Sequence, residues 1–552
     1  MATKSMARSY LAFLLLILLW LFPFDSVPSA NVLAQIFAAS CLGVVGLLIN
    51  ANSFPTSIRP ILFIFLLLVV THPAPYFDAN FFALAAVVLV SVATALGVVS
   101  AQNIKTLKFV IFALLIAAIF SAFAGLLQYL GLEDGLWPWV VEVLERGRAV
   151  ANLRQPNLLA SLLCCGIVAV VWLVRHQSLS TSMAWVLISI LQVANVSTGS
   201  RIGGIESVAL AGLGLVWGYR DPALRRLMVG QFLVYLAAAP LVPWVAALHG
   251  IEARTLAGRF AASSSDSRWV LWSNIIDLIR ERPWFGWGWH EVGYGHFLLN
   301  ATPRFSELLD NAHNLPLHLA VVFGIPTTVV FFGWLLWATV RAKPWSERQT
   351  SRQFAWSILL LIGLHSLVEF PLWTVGFLSY AGIAVGLLTL QPTQPTAPNK
   401  INVVTMASAA LLICCGLAWS QYQRVSMIYQ ISFKHAPQAK LLAIANAREH
   451  WLGKWLFVGH VDYAELSTLT VTKENAAKVR VLSEKLLHFS AEPRVIGAVI
   501  VSAAYFQEWA TVDTYSQRYC RAFPAAYRRW TKDIVKPDSE PFAQHTLPDC
   551  PR

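Results

Sequence analysis

The sequence predicts an all-α fold. It is a polytopic membrane bundle with a loop subdomain on its outer face and a helical, soluble C-terminal domain. Three observations carry this. Of 552 residues, 57% are hydrophobic and only 13% charged, about half the charge of an ordinary soluble domain. The apolar residues fall in runs that approach the roughly 20-residue length a membrane helix needs. After residue 421 the composition returns to that of a soluble chain, rich in Ala, Lys, Arg and Glu. Disorder, collagen and a small disulfide scaffold are excluded.

By length and apolarity, about 12–13 transmembrane helices are expected. They lie near 9–24, 30–49, 58–72, 79–100, 107–130, 156–174, 183–198, 204–219, 227–248, 313–340, 354–368, 372–390 and 403–420. The first follows Lys4 and Arg8 and ends near Ser29-Ala30, as a signal peptide would. Asp25, two prolines and the next span immediately after read instead as an uncleaved helix.

Short cytoplasmic loops collect Lys and Arg. With the N-terminus inside, the inner loops hold Arg59, Lys105, Lys108, Arg175, Arg220, Arg225, Arg226, Arg341, Lys343, Arg348, Arg352 and Lys400. The outer connectors 25–29, 73–78 and 369–371 contain neither. Segment 131–155, the long loop 249–312 and the tail then lie outside. The net charge of +12 is thus mostly topological, and no nucleic-acid partner is expected; membrane lipids are.

Two domains follow. Residues 1–420 form the membrane part with loop 249–312, and 421–552 the soluble part, after a proline-rich loop, QPTQPTAPNK. AKLLAIANAREHW and ENAAKVRVLSEKLLHF show helical spacing, which suits two or three helical hairpins. Docking a partner and stabilising the membrane part are equally open roles. Cys41, Cys164-Cys165 and Cys414-Cys415 sit in apolar spans as packing residues. Cys520 and Cys550 lie in the outer tail, where a disulfide is expected. No CxxC or HExxH spacing appears, and no cofactor or metal is expected.

Ionisable groups at membrane depth or at the outer ends of spans are functional candidates. RAVANLRQPNLLAS carries Arg148, Arg154, Gln155 and Asn157; NVSTGSRIGG carries Ser200 and Arg201. The long loop holds Arg268, Trp269, Trp272, Gly286, Gly288 and His290; DNAHNLPLHLAVVFGIP holds His313, Asn314 and His318; HSLVEFPLWT holds His365 and Glu369. Arg148 reads most simply as an arginine reaching headgroups. Arg201 sits in a glycine-rich turn where that role is less natural. RWVLWSNIIDLI is amphipathic and suits a helix along the membrane surface, its tryptophans acting as anchors. His290, His296, His318 and His365 read as structural. Glu369 suits either a base or a helix cap. Arginines bind phosphate bidentately, and a histidine takes a hydroxyl proton near neutral pH. Together they suit metal-independent displacement of a diphosphate by an alcohol, on a lipid-linked donor.

The ordered motifs TGSR, SRWVLW…ERPWFGWGW, NAHNLPLHLAVVFGIP and HSLVEFPLW resemble the O-antigen ligase/polymerase superfamily of bacterial inner-membrane glycosyltransferases. RQPNLLA, EFPL and the C-terminal domain most resemble its protein O-oligosaccharyltransferases (PglL type). The resemblance covers roughly residues 150–390. It implies transfer of a whole glycan from undecaprenyl diphosphate to Ser/Thr hydroxyls of a pilin or other periplasmic protein. It puts the essential histidine on His313, diphosphate-binding arginines on Arg201 and Arg268, and the glutamine of its RQPN-like segment on Gln155; Arg154, Gln155, Asn314 and Glu369 are expected to bind substrate or support the site. The family's tyrosines at and after EYPL are replaced by Phe370, Thr374 and Gly376, so no tyrosine role carries over. Two alternatives remain: an O-antigen ligase or polymerase, and a transporter of lipid-linked sugars. Paired broken helices, the usual mark of a transporter, are not convincing here.

Overall fold

A computed structural model describes residues 2–49, 74–143, 146–252, 267–299, 304–305, 307–389, 403–534, 540–543 and 545–550. Within them the chain is helical. The first helices are α1 (Ala2–Leu18), α2 (Val32–Ile49), α3 (Phe77–Gln102), α4 (Ile104–Leu130), α5 (Pro156–Arg175), α6 (Thr181–Ser197), α7 (Arg201–Trp217) and α8 (Pro222–Leu248). Next come α9 (Ser267–Glu281), α10 (Val292–Leu298), α11 (Leu315–Phe323), α12 (Ile325–Ala342), α13 (Thr350–Ser366), α14 (Val375–Thr389) and α15 (Val403–Gln430). The tail adds α16 (Pro437–Glu449), α17 (Val458–Thr468), α18 (Ala476–Leu487), α19 (Pro493–Tyr505), α20 (Trp509–Ala522) and α21 (Pro524–Ile534).

The starts follow capping chemistry. Asn103, Gln155, Ser180, Asp221 and Asn314 each accept a backbone N–H at the head of a helix, replacing a partner the first turn lacks. Pro156 and Pro222 occupy the first helical position, where a missing N–H costs nothing.

Seven of the described helices are long and apolar enough to cross a membrane. Other expected spans fall on shorter apolar helices such as α6 and α14, and the expected span near 58–72 lies outside the described residues. The protein is a multi-pass helical membrane protein.

The expected span 313–340 is corrected. It breaks at Gly324 into α11 and α12, and the candidate span is Ile325–Ser346. Gly324 has φ +86°, and a Cβ there would lie 2.1 Å from the Trp284 carbonyl oxygen. The Ile325 N–H donates to the Pro283 carbonyl at 2.8 Å. α12 buries none of its residues within the protein, as befits an apolar helix facing lipid. α11 buries Ala320, Val321, Val322 and Phe323.

The described residues divide into two compact units. The first draws on Met1–Ile64, Ala85–Ser265 and Trp334–Gly416, the second on Phe65–Leu84, Asp266–Gly333 and Leu417–Arg552. Loop residues up to Ser265 thus group with the first unit, and those from Asp266 on group with the tail.

In the first unit α5 is almost wholly enclosed, with Leu159, Ala160, Leu162, Leu163 and Cys164 at 0% exposure. The second unit has two cores. One packs α9 against α11 through Leu271, Ile275, Leu278, Val321 and Phe323. The amphipathic face of α9 is thus spent on protein rather than on a membrane surface. The other core joins α18–α20 with Phe297 of α10. Helices α16 to α21 pack in sequential pairs, the hairpin array expected. Cys520 and Cys550 form the expected disulfide.

Candidate functional site

In the first unit, the TGSR turn is anchored from several directions. Thr198 Oγ1 donates to the Asn195 carbonyl at 2.6 Å and accepts the Ser200 N–H at 3.1 Å. Arg148 Nε donates to the Thr198 carbonyl at 3.3 Å. This bond braces the turn. Arg201 is the first residue of α7, half-buried. Its neighbour Ser200 is the N-cap yet makes no side-chain cap bond, because its hydroxyl donates to Asn157 Oδ1 at 2.7 Å. The backbone N–H groups of the first turn lack that cap, beside a guanidinium; a helix N-terminus with these features favours an anion.

Asn157 in turn donates from Nδ2 to Glu369 Oε1 at 3.1 Å. Glu369 is 8% exposed, and the short turn Pro371–Trp373 has no side-chain cap. Glu369 thus pairs with Asn157 just ahead of that turn. Gln155 caps α5 by accepting the Leu158 N–H. Arg154 is committed elsewhere: its Nε pairs with Asp25 at 2.7 Å and its Nη2 donates to the Pro23 carbonyl at 2.8 Å. It ties the RQPN segment to the connector that holds Pro23 and Asp25.

In the second unit, His313 sits in the left-handed region at φ +47°, a conformation non-glycine residues rarely hold without support. The support is local. Asn311 Oδ1 accepts the His313 N–H at 2.9 Å, and Asn314 caps α11 by accepting the Leu317 N–H at 3.0 Å. Trp272 Nε1 donates to the carbonyl of Ala312, the preceding residue, at 3.1 Å. Trp272 is thus a structural anchor inside the protein, whereas Trp269 is 66% exposed. Arg268, half-buried at the start of α9, lies four residues before Trp272 on the same helical face. His318 accepts the Ala312 N–H on Nδ1 at 3.4 Å.

Burial pushes His318 down to about 4, with His290 and His313 adding in the same direction. His296, 4% exposed beside Arg304, falls to about 3. Both are neutral in the fold at pH 7. An unfolded histidine titrates near 6.5, so below that pH the unfolded chain binds protons that these sites refuse. Stability is full above about 6.5 and lost as pH falls toward about 4. Thermal scans across that range should show a falling midpoint, and His318→Gln should flatten the slope.

The two glycine motifs explain each other. Trp287 N–H and Gly288 N–H donate to the Val321 and Val322 carbonyls at 2.8 and 3.0 Å. A Cβ on Gly286, φ +69°, would lie 2.4 Å from the Val322 carbonyl. This lock fixes the C-terminal end of α11. Gly324→Ala should destabilise the protein by about 1–3 kcal/mol from backbone strain plus the clash, read as a lower melting temperature.

Sequence reasoning missed one buried cluster. Glu206, in mid-helix on α7, accepts from Ser161 Oγ at 2.6 Å, and Ser161 Oγ lies 2.8 Å from His365 Nδ1. All three are 0% exposed. A lone carboxylate in RIGGIESVALAGLG was the available signal. Among the described residues no group of His, Cys, Asp or Glu is arranged to hold a metal ion.

Three family models match in chain order. A protein glycosylation ligase model covers 149–174, an O-antigen ligase model 183–332, and the C-terminal model of a virulence factor membrane-bound polymerase 353–536. A general O-oligosaccharyltransferase of Acinetobacter baylyi is 23% identical over 384 residues, 65% of this chain and 66% of the relative. A ComP-specific O-oligosaccharyltransferase of the same organism is 23% identical over 337 residues, 58% of this chain and 59% of the relative. The chain thus spans just under two thirds of the first relative and less of the second. No solved structure matches it significantly. By these matches, in the order its motifs run, the chain resembles the PglL-type protein O-oligosaccharyltransferases of the O-antigen ligase superfamily.

Proposed function

We propose that the protein is a glycosyltransferase of the bacterial inner membrane, its site facing the periplasm. It moves a glycan en bloc from undecaprenyl diphosphate to a Ser or Thr hydroxyl of a periplasmic or pilin protein. The observation that carries this reading is the His313 turn, a strained backbone braced by Asn311, Asn314 and the Trp272–Ala312 bond. Such strain persists where the surroundings over-determine it, and it clusters at active sites.

In this reading the His313 imidazole takes the proton of the acceptor hydroxyl. The oxygen forms a bond to the anomeric carbon, and the bond from that carbon to the diphosphate oxygen breaks. The electron pair leaves with undecaprenyl diphosphate. Arg201 and Arg268 hold the charge that develops there. Glu369 and Asn157 hold Ser200 in place beside Arg201.

The O-antigen ligase model over 183–332 favours a second reading with the same chemistry and a lipid A-core acceptor. A deletion strain separates the two. Loss of glycan from proteins with unchanged lipopolysaccharide supports the proposal; changed lipopolysaccharide with normal glycoproteins overturns it.

A further inference from the structure

Two polar rungs cross the same three helices of the first unit. In the outer rung, Ser200 at the head of α7 bonds Asn157 of α5, and Asn157 bonds Glu369, just beyond α13. In the inner rung, Glu206 of α7 bonds Ser161 of α5, and Ser161 meets His365 of α13. The α5 residue is the middle member each time. Asn157 and Ser161 are four apart, as are His365 and Glu369, so the rungs are stacked about one helical turn apart. The Glu369 N–H donates to the His365 carbonyl at 2.9 Å, so the chain carries the helical turn from one rung to the other.

Burying an ionisable group among apolar helices is costly. Apolar residues of similar volume would join three helices at lower cost, whereas a buried polar bond specifies register. A one-residue slip or a rotation of α7 would break the Glu206–Ser161 bond and move Arg201 with it. We infer that Glu206, through Ser161 and His365, is a positioning residue that sets the height and rotation of α7 and thereby the placement of Arg201. This rests on the donor role proposed for Arg201.

The test measures donor KM and kcat for the purified full-length protein in detergent, with a polyprenyl-diphosphate-linked glycan as the varied substrate. The variants are Glu206→Leu, Glu206→Gln, Ser161→Ala, Arg201→Ala and the double variant Arg201→Ala/Glu206→Leu. Misplacing a binding group by an ångström costs up to about 10²-fold. Glu206→Leu and Ser161→Ala should therefore raise donor KM at least about tenfold with a smaller change in kcat. Glu206→Gln still accepts the Ser161 hydroxyl and should stay close to wild type. The double variant should be no worse than Arg201→Ala alone, because the rung acts through that arginine. Ser161→Ala removes one hydroxyl and answers the question if Glu206→Leu does not fold. Wild-type KM in both Glu206→Leu and Ser161→Ala, a Gln variant as impaired as Leu, or costs that add in the double variant would overturn the inference. Wild-type KM in Arg201→Ala would instead overturn the donor reading; any loss from Glu206→Leu would then add, and the positioning role would fall with it.

Discussion

His313→Ala is expected to lower glycan transfer by about 10²–10⁴-fold, the contribution of one positioned base. Binding of the lipid-linked donor should survive, because the charge that holds the diphosphate is assigned to arginines. Alanine also tolerates the left-handed backbone at φ +47° poorly, so some loss of stability is expected with it. His313→Asn separates the two effects, since asparagine adopts that conformation readily. It should keep a near-normal melting temperature and remain as inactive as the alanine variant. Recovery of transfer in His313→Asn would show that the turn, and not the imidazole, is what the reaction needs.

Arg201→Ala is expected to act on the donor. A hydrogen bond to a charged group contributes about 1.5–3 kcal/mol, so donor KM should rise by about 10- to 10²-fold. Arg201→Lys keeps the charge but loses the planar, two-pronged donor geometry, and should recover only part of the loss. The effect should be larger for a diphosphate-linked donor than for acceptor KM. An equal rise for both substrates would point to a general disturbance of α7 rather than to a diphosphate contact.

Much of the architecture is legible in the sequence because membrane helices announce themselves by length and apolarity. The Cys520–Cys550 bond follows from two cysteines in a tail expected to lie outside. The break at Gly324 was less legible. VVFGIP reads as continuous apolar chain, and only the close approach of the Trp284 carbonyl shows why a glycine must stand there. The face of α9 misleads in the same way: Leu271, Ile275 and Leu278 are spaced as for a membrane surface, yet they are buried against protein. Periodicity reports that a face is apolar, not what covers it.

Charged groups at the ends of spans stand out in the sequence, as Arg201, Arg268 and Glu369 do, with His313 beside them; Glu206 lies deeper. Its role depends on Ser161 and His365, from helices far away in the chain, and no local pattern contains that pairing. The roles of Arg154, Gln155 and Asn314 were likewise hidden. Their motif positions are evident, but their bonds to Asp25, Leu158 and Leu317 appear only once the chain is folded.

The reaction proposed is en bloc transfer to a protein hydroxyl. The most direct test incubates the purified protein with a polyprenyl-diphosphate-linked oligosaccharide and a Ser-rich acceptor protein, then measures the intact mass of the acceptor. A single mass step equal to the whole glycan, on Ser or Thr and absent with His313→Asn, is expected. An unmodified acceptor, with the glycan lengthened on its lipid or passed only to lipid A-core, would contradict it.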